Sequence, residues 1–142
     1  MGLLDFLKKK DAIPYEKIAE QLDVFTKESL AMPKMNNPFL LDDKTKHPII
    51  YGYFMGALEY ITELYTLDEK DTHAIYTKYL SRNFADHNEG HTKELFNYLK
   101  EISQIDDVGR YRLVGNHAMK KWNTGGPMAK YAPMGLIRLL ND

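Results

Sequence analysis

The densest group of potential metal ligands lies between residues 86 and 94. It includes His87, His91 and Glu94, which are spaced by four and three residues. In a helix these side chains share one face, because positions four and seven residues apart lie close together. Two imidazoles and a carboxylate suit zinc or non-haem iron. The spacing predicts a mononuclear site for a divalent metal, with helix capping and packing as the structural alternative, and no other cofactor is indicated.

The C-terminal third of the chain is a second candidate, because it is basic. The formal net charge is -1, yet residues 108–142 contain six Lys and Arg and a single Asp. Arg110, His117 and Lys121 fall on one outer face of the helix predicted there. Such a face favours contact with phosphates or other anions. The acidic remainder of the chain disfavours nucleic acid. The basic face favours instead an acidic protein partner or the acidic part of a second copy of the chain, with a solvated helix face as the structural alternative.

A third candidate is a surface for protein interaction. Gly52 and Gly56 interrupt a strongly apolar helix, where each glycine costs about 1 kcal/mol relative to alanine. Both lie opposite the main apolar stripe, outside the principal core packing. They indicate either close contact with a partner subunit, a loop or another helix, or exposed glycines that the strongly apolar opposite side makes tolerable. Tyr60 suits an interface because its ring has one polar end. Leu113 and Val114 project away from the apolar stripe of a later helix, which a dimer or an additional helix would explain.

Sequence motifs give no support for catalysis. The chain contains no cysteine, which excludes disulfides, thiolate metal sites and cysteine nucleophiles. Neither a Gly-x-Ser-x-Gly elbow nor a glycine-rich phosphate loop occurs, and none of Ser29, Ser81 and Ser103 lies in a glycine-rich turn. No catalytic residue is identified.

The elements that would position these candidates are helices, because apolar residues recur every three or four positions. Pro33, followed by Asn36, Asn37 and Pro38, is expected to end the helix that begins near residue 15, and Asp68 to cap another. Gly115 lies within an apolar stripe and predicts a close helix crossing. We expect an all-α protein, a compact bundle of about six helices with short connections and one longer loop near residues 33–47. The predicted helices cover approximately residues 15–32, 48–67, 68–80, 88–104, 106–122 and 133–140.

The 142 residues are expected to form a single helical domain, with residues 1–12 as a peripheral N-terminal helix. Apolar residues followed by three lysines give this segment a weak affinity for an anionic membrane surface. No apolar stretch is long enough to span a bilayer. These features predict a soluble, cytoplasmic protein that acts by macromolecular binding or self-association. Its partner would be a protein or a second copy of the chain.

Overall fold

Six α-helices and three short 3₁₀ segments make up most of residues 13–142, the part of the chain that the computed structural model describes. Within this range there is no strand, so the predicted all-α bundle is confirmed. The expected N-terminal helix over residues 1–12 lies outside the described residues. The helices are α1 (Tyr15–Asn36), α2 (His47–Leu64), α3 (Glu69–Asn83), α4 (Glu89–Ile102), α5 (Asp106–Thr124) and α6 (Gly135–Leu140). The 3₁₀ segments are Leu40–Asp42, Lys44–Lys46 and Ala129–Met134.

A side-chain cap accounts for the start of α3. The Asp68 carboxylate accepts a hydrogen bond from the Asp71 backbone N–H at 2.7 Å, so the predicted cap of α3 is confirmed. Helix α1 ends at Asn36, within the expected stop, but the expectation that Pro33 already ends it is wrong. The Pro33 carbonyl still accepts a hydrogen bond from the backbone N–H of Asn37 at 2.9 Å, and its ring is buried. The long connection to α2 therefore begins at Asn37, and two of the 3₁₀ segments lie within it.

Helix α2 lies at the centre of the bundle, and every residue from Ile50 to Leu58 is buried. A helix that is apolar all round is covered by neighbours on several sides. The neighbours of α2 are chiefly α5, with further contacts to α1, α4 and α6. Within residues 13–142, no helix combines the length and the apolar character needed to cross a bilayer.

Glycines allow α2 and α5 to approach through their backbones. A Cβ atom built at Gly56 would lie 1.8 Å from the Arg112 carbonyl oxygen, and one built at Gly115 would lie 1.7 Å from the Tyr53 carbonyl oxygen. No other residue type fits in either place without moving a helix. The close crossing predicted at Gly115 is thus confirmed. Close contact with another helix, one of the alternatives for Gly52 and Gly56, is also confirmed, because α5 covers that side of α2. The expectation that these glycines lie outside the principal core packing is wrong.

Helix α3 packs between α1 and α4, and these two helices contact α2. The buried hydroxyls of Thr26 and Tyr79 lie 2.6 Å apart and join α1 to α3. Arg82 on α3 forms ion pairs with Glu16 at 2.9 Å and with Asp23 at 2.6 Å, both on α1. The aromatic ring of Phe25 stacks on Tyr53 in α2 at a centroid distance of 6.0 Å. Apolar burial and these polar contacts together orient α3 and α4.

Candidate functional site

The predicted metal ligands His87, His91 and Glu94 do not form a cluster. Helix α4 begins only at Glu89, because the Asn88 side chain caps it by accepting from the His91 backbone N–H at 2.8 Å. His87 lies in the preceding turn with a left-handed backbone (φ 60°), so it does not share a helix face with the other two. Within residues 13–142, no three His, Cys, Asp or Glu side chains come close enough to hold a metal ion.

The five residues of the predicted interaction surface are not brought together on one exposed surface. Gly52 and Gly56 are buried against α5, so neither is accessible to a partner. Tyr60 is half-buried against the core. Val114 is also half-buried, with its Cγ1 atom 3.5 Å from a Cβ built at Gly135. Only Leu113 is exposed, with 56% of its surface accessible to solvent.

The exposed side of α5 therefore provides the most distinctive candidate surface. Leu113 lies at its centre, with Asp106 and Lys120 seven residues away on either side. Seven residues are close to two helical turns, so these side chains point in nearly the same direction. All three are exposed, and His117 is exposed beside them. We call Asp106, Leu113, His117 and Lys120 the α5 face.

A cleft of about 800 Å³ adjoins the C-terminal half of this face, and we call it the C-terminal cleft. It lies between α5, the Ala129–Met134 segment and α6. Its lining contains apolar side chains and four basic ones, and no carboxylate. Exposed Met128 and Tyr131 lie at its edge. The basic lining residues are His117, Lys120, Lys121 and Arg138.

The three predicted anion-binding residues are divided between two places. His117 and Lys121 line the C-terminal cleft, whereas Arg110 lies nearer the start of α5. The Arg110 guanidinium pairs with the Asp142 carboxylate at 3.2 Å. Its pKa is raised above the ordinary value, first by a hydrogen bond with Tyr111 and then by its hydrogen bond and charge interaction with Asp142. The positive charge of Arg110 is therefore already paired with a carboxylate of the same chain.

Asp106 and Lys120 were not among the candidates from sequence, although their spacing contains a usable signal. Each lies seven residues from Leu113, and opposite charges at equal distances from an apolar residue are self-complementary in an antiparallel pair. Arg138 was also missed, because only the fold of residues 126–140 brings it opposite α5. Comparison of the chain with protein-family models, with curated proteins and with solved structures gave no match.

Proposed function

We propose that this protein acts by self-association, through antiparallel pairing of the α5 face with the same face of a second copy. The observation that carries the proposal is the arrangement of exposed Asp106 and Lys120 around exposed Leu113. Twofold symmetric dimers use the same patch on both subunits, so the patch must be complementary to itself. The α5 face meets this requirement in the order of its charges along the helix.

The geometry of such a pair follows from helix dimensions. Leu113 of one copy lies against Leu113 of the other, beside the twofold axis. Asp106 and Lys120 each lie about 10 Å from Leu113 along α5, at 1.5 Å per residue. In an antiparallel pair, Asp106 of each copy therefore lies opposite Lys120 of the other. One apolar contact and two symmetric ion pairs result.

The expected affinity is modest. Helix α5 is about 28 Å long, and a contact along a single helix buries on the order of 1,000 Å², the lower end for specific interfaces. Exposed ion pairs contribute about 0.2–1 kcal/mol each. We therefore expect dissociation on the order of 10 to 100 µM. Salt should weaken the dimer, because both ion pairs are at the surface.

A charge exchange tests the pairing. Sedimentation velocity at low salt should show a reversible dimer of the unaltered chain. Asp106→Lys alone and Lys120→Asp alone should each weaken the dimer about tenfold, because like charges then face each other across the axis. The double variant should restore dimerisation, because it recreates both ion pairs with their signs exchanged. Leu113→Glu should leave a monomer, since it brings two carboxylates together at the axis.

The matched control is Lys70→Asp, which makes the same charge change at an exposed lysine of α3. It should leave the dimer unaffected, and circular dichroism should show that every variant remains helical. A chain that stays monomeric at about 200 µM, well above the expected dissociation constant, would contradict the proposal. So would a dimer that tolerates Leu113→Glu, or single variants that the double variant fails to rescue.

The C-terminal cleft supports a second candidate function, binding of a small anion. Its four basic side chains line a volume without a lining carboxylate, and a cleft lined by one sign of charge favours a ligand of the opposite sign. Inorganic pyrophosphate is a suitable probe for calorimetry. Lys121→Ala with Arg138→Ala should abolish its binding at this cleft, whereas Lys70→Ala should leave binding unchanged. Pyrophosphate binding that is indifferent to the paired variant would refute this function.

A further inference from the structure

A second basic region lies on α3, away from the α5 face. A groove of about 1090 Å³ runs between α1 and α3, and another of about 420 Å³ runs between α3 and α4. Ser81 and His87 line both, so the two grooves adjoin at the C-terminal part of α3. We call them together the α3 groove. None of its lining residues belongs to α5 or to the C-terminal cleft.

The α1 side of this groove contains four cations. They come from two helices and are Lys27, Lys34, Lys78 and Arg82. Asp23 is the one carboxylate in this lining. Lys78 and Arg82 are compensated by ion pairs with α1, at 2.6 and 2.9 Å from Glu16. Within residues 13–142, Lys27 and Lys34 form no ion pair, so their charges are available to a ligand.

The spacing of these two lysines suits more than one phosphate. Lys27 and Lys34 lie seven residues apart on α1, which is about 10 Å along the helix. Flexible lysine side chains can converge from that separation on a chain of linked phosphates. The polar residues Ser81 and Asn83 also line this side. A single monovalent anion would use only part of this surface.

The α4 side of the groove differs, because it contains aromatic rings. The exposed His73 ring lies 4.7 Å from the Phe96 ring, at an interplanar angle of 45°. The Lys100 ammonium lies 5.0 Å from the centre of the same Phe96 ring. Thr77 and Asn97 supply hydrogen-bonding groups beside them. Histidine and phenylalanine rings are surfaces on which planar bases stack, and about 420 Å³ is within the range of small-molecule sites.

We propose that the α3 groove binds a nucleoside polyphosphate. The base lies against His73 in the α3–α4 part, and the phosphates pass Ser81 and His87 to reach Lys27 and Lys34. A ligand with a planar ring at one end and several negative charges at the other matches the two halves of the groove. The ion pairs of Arg82 keep α3 and α1 in place beside the phosphates. The proposal is independent of self-association, because it uses no residue of the α5 face.

Calorimetry with ATP in a metal-free buffer tests this proposal. Binding should saturate at one ATP per chain. The variant Lys27→Ala/Lys34→Ala should weaken it at least about tenfold, a free-energy change of about 1.4 kcal/mol. His73→Ala should weaken ATP binding several-fold while leaving binding of inorganic tripolyphosphate unchanged. This split between the two ligands separates a contact with the base from a general loss of folding.

The matched control is Lys44→Ala/Lys70→Ala, which removes two exposed lysines that line neither the α3 groove nor the C-terminal cleft. It should change ATP affinity by less than about twofold. The proposal would be overturned if ATP showed no saturable binding, or if both pairs of lysine substitutions weakened ATP binding equally. It would also be overturned if tripolyphosphate bound as tightly as ATP, or if a single-stranded oligonucleotide bound without competition from ATP. The last result would assign the groove to nucleic acid instead.

Discussion

Replacing Gly115 with alanine tests whether α2 and α5 really meet through their backbones. The added Cβ atom would lie 1.7 Å from the Tyr53 carbonyl oxygen, whereas ordinary contacts begin at 3.4 Å. The two helices must separate by roughly 1.7 Å, since a backbone atom cannot swing aside as a side chain can. Separation on this scale loosens the most extensive helix contact of the bundle.

The expected magnitude combines two opposing effects. Overpacking of a tight core costs about 1–3 kcal/mol and more where backbone must move, whereas alanine is favoured over glycine in a helix by about 1 kcal/mol. We expect a net loss of about 3 kcal/mol, which lowers the melting temperature by about 10 °C for a chain of this size. Urea unfolding at high salt, followed by circular dichroism and by Trp122 fluorescence, measures it without interference from self-association.

Gly109→Ala is the matched control on the same helix. A Cβ atom built at Gly109 meets no atom within 4 Å. This variant should therefore be more stable than the unaltered chain, by up to about 1 kcal/mol, through helix propensity alone. The reasoning is refuted if Gly115→Ala is as stable as the unaltered chain, or if Gly109→Ala is destabilised as strongly as Gly115→Ala.

Three further predictions concern stability. Thr26→Val should cost about 1–3 kcal/mol, because it leaves the buried Tyr79 hydroxyl without its partner, and adding Tyr79→Phe should recover part of the loss in urea unfolding. Asp68→Ala should cost about 1 kcal/mol, measured by thermal melting, because the Asp71 N–H loses its cap. Burial raises the pKa of Tyr53 to about 12 in the folded protein. The contribution of this pKa shift to the free energy of unfolding is therefore complete below pH 10, and it is lost as the pH rises towards 12. Urea unfolding across this range should show a decline that Tyr53→Phe makes shallower.

Helix positions could be predicted from sequence where a single local signal decides them. The apolar period located the helices, and the type and position of Asp68 indicated its cap. Pro33 does not end α1, although proline lacks a backbone N–H donor. Its carbonyl still accepts a hydrogen bond and its ring is buried, so the helix continues past it. Gly52 and Gly56 were placed outside the core packing because a single apolar stripe predicts one buried side for each helix. Helix α2 is instead covered on several sides.

The candidate sites were less predictable, because they depend on contacts between helices. Leu113, His117 and Lys121 could be placed on the outer side of α5 from periodicity alone, since that side is determined by the apolar stripe opposite. The α3 groove could not be predicted. Its cations come from α1, α3 and α4, and only the packing of these helices brings Lys27 and Lys34 near Arg82. No linear spacing encodes that arrangement.

Disulfide trapping at the proposed twofold axis is the most direct test of self-association through the α5 face. The chain contains no cysteine, so Leu113→Cys introduces a single thiol. Mild oxidation of this variant should give a disulfide-linked dimer, visible on non-reducing gel electrophoresis, in far higher yield than oxidation of Lys70→Cys on α3. Equal and low yields from the two variants at a concentration where the unaltered chain is dimeric would contradict the antiparallel pairing of α5.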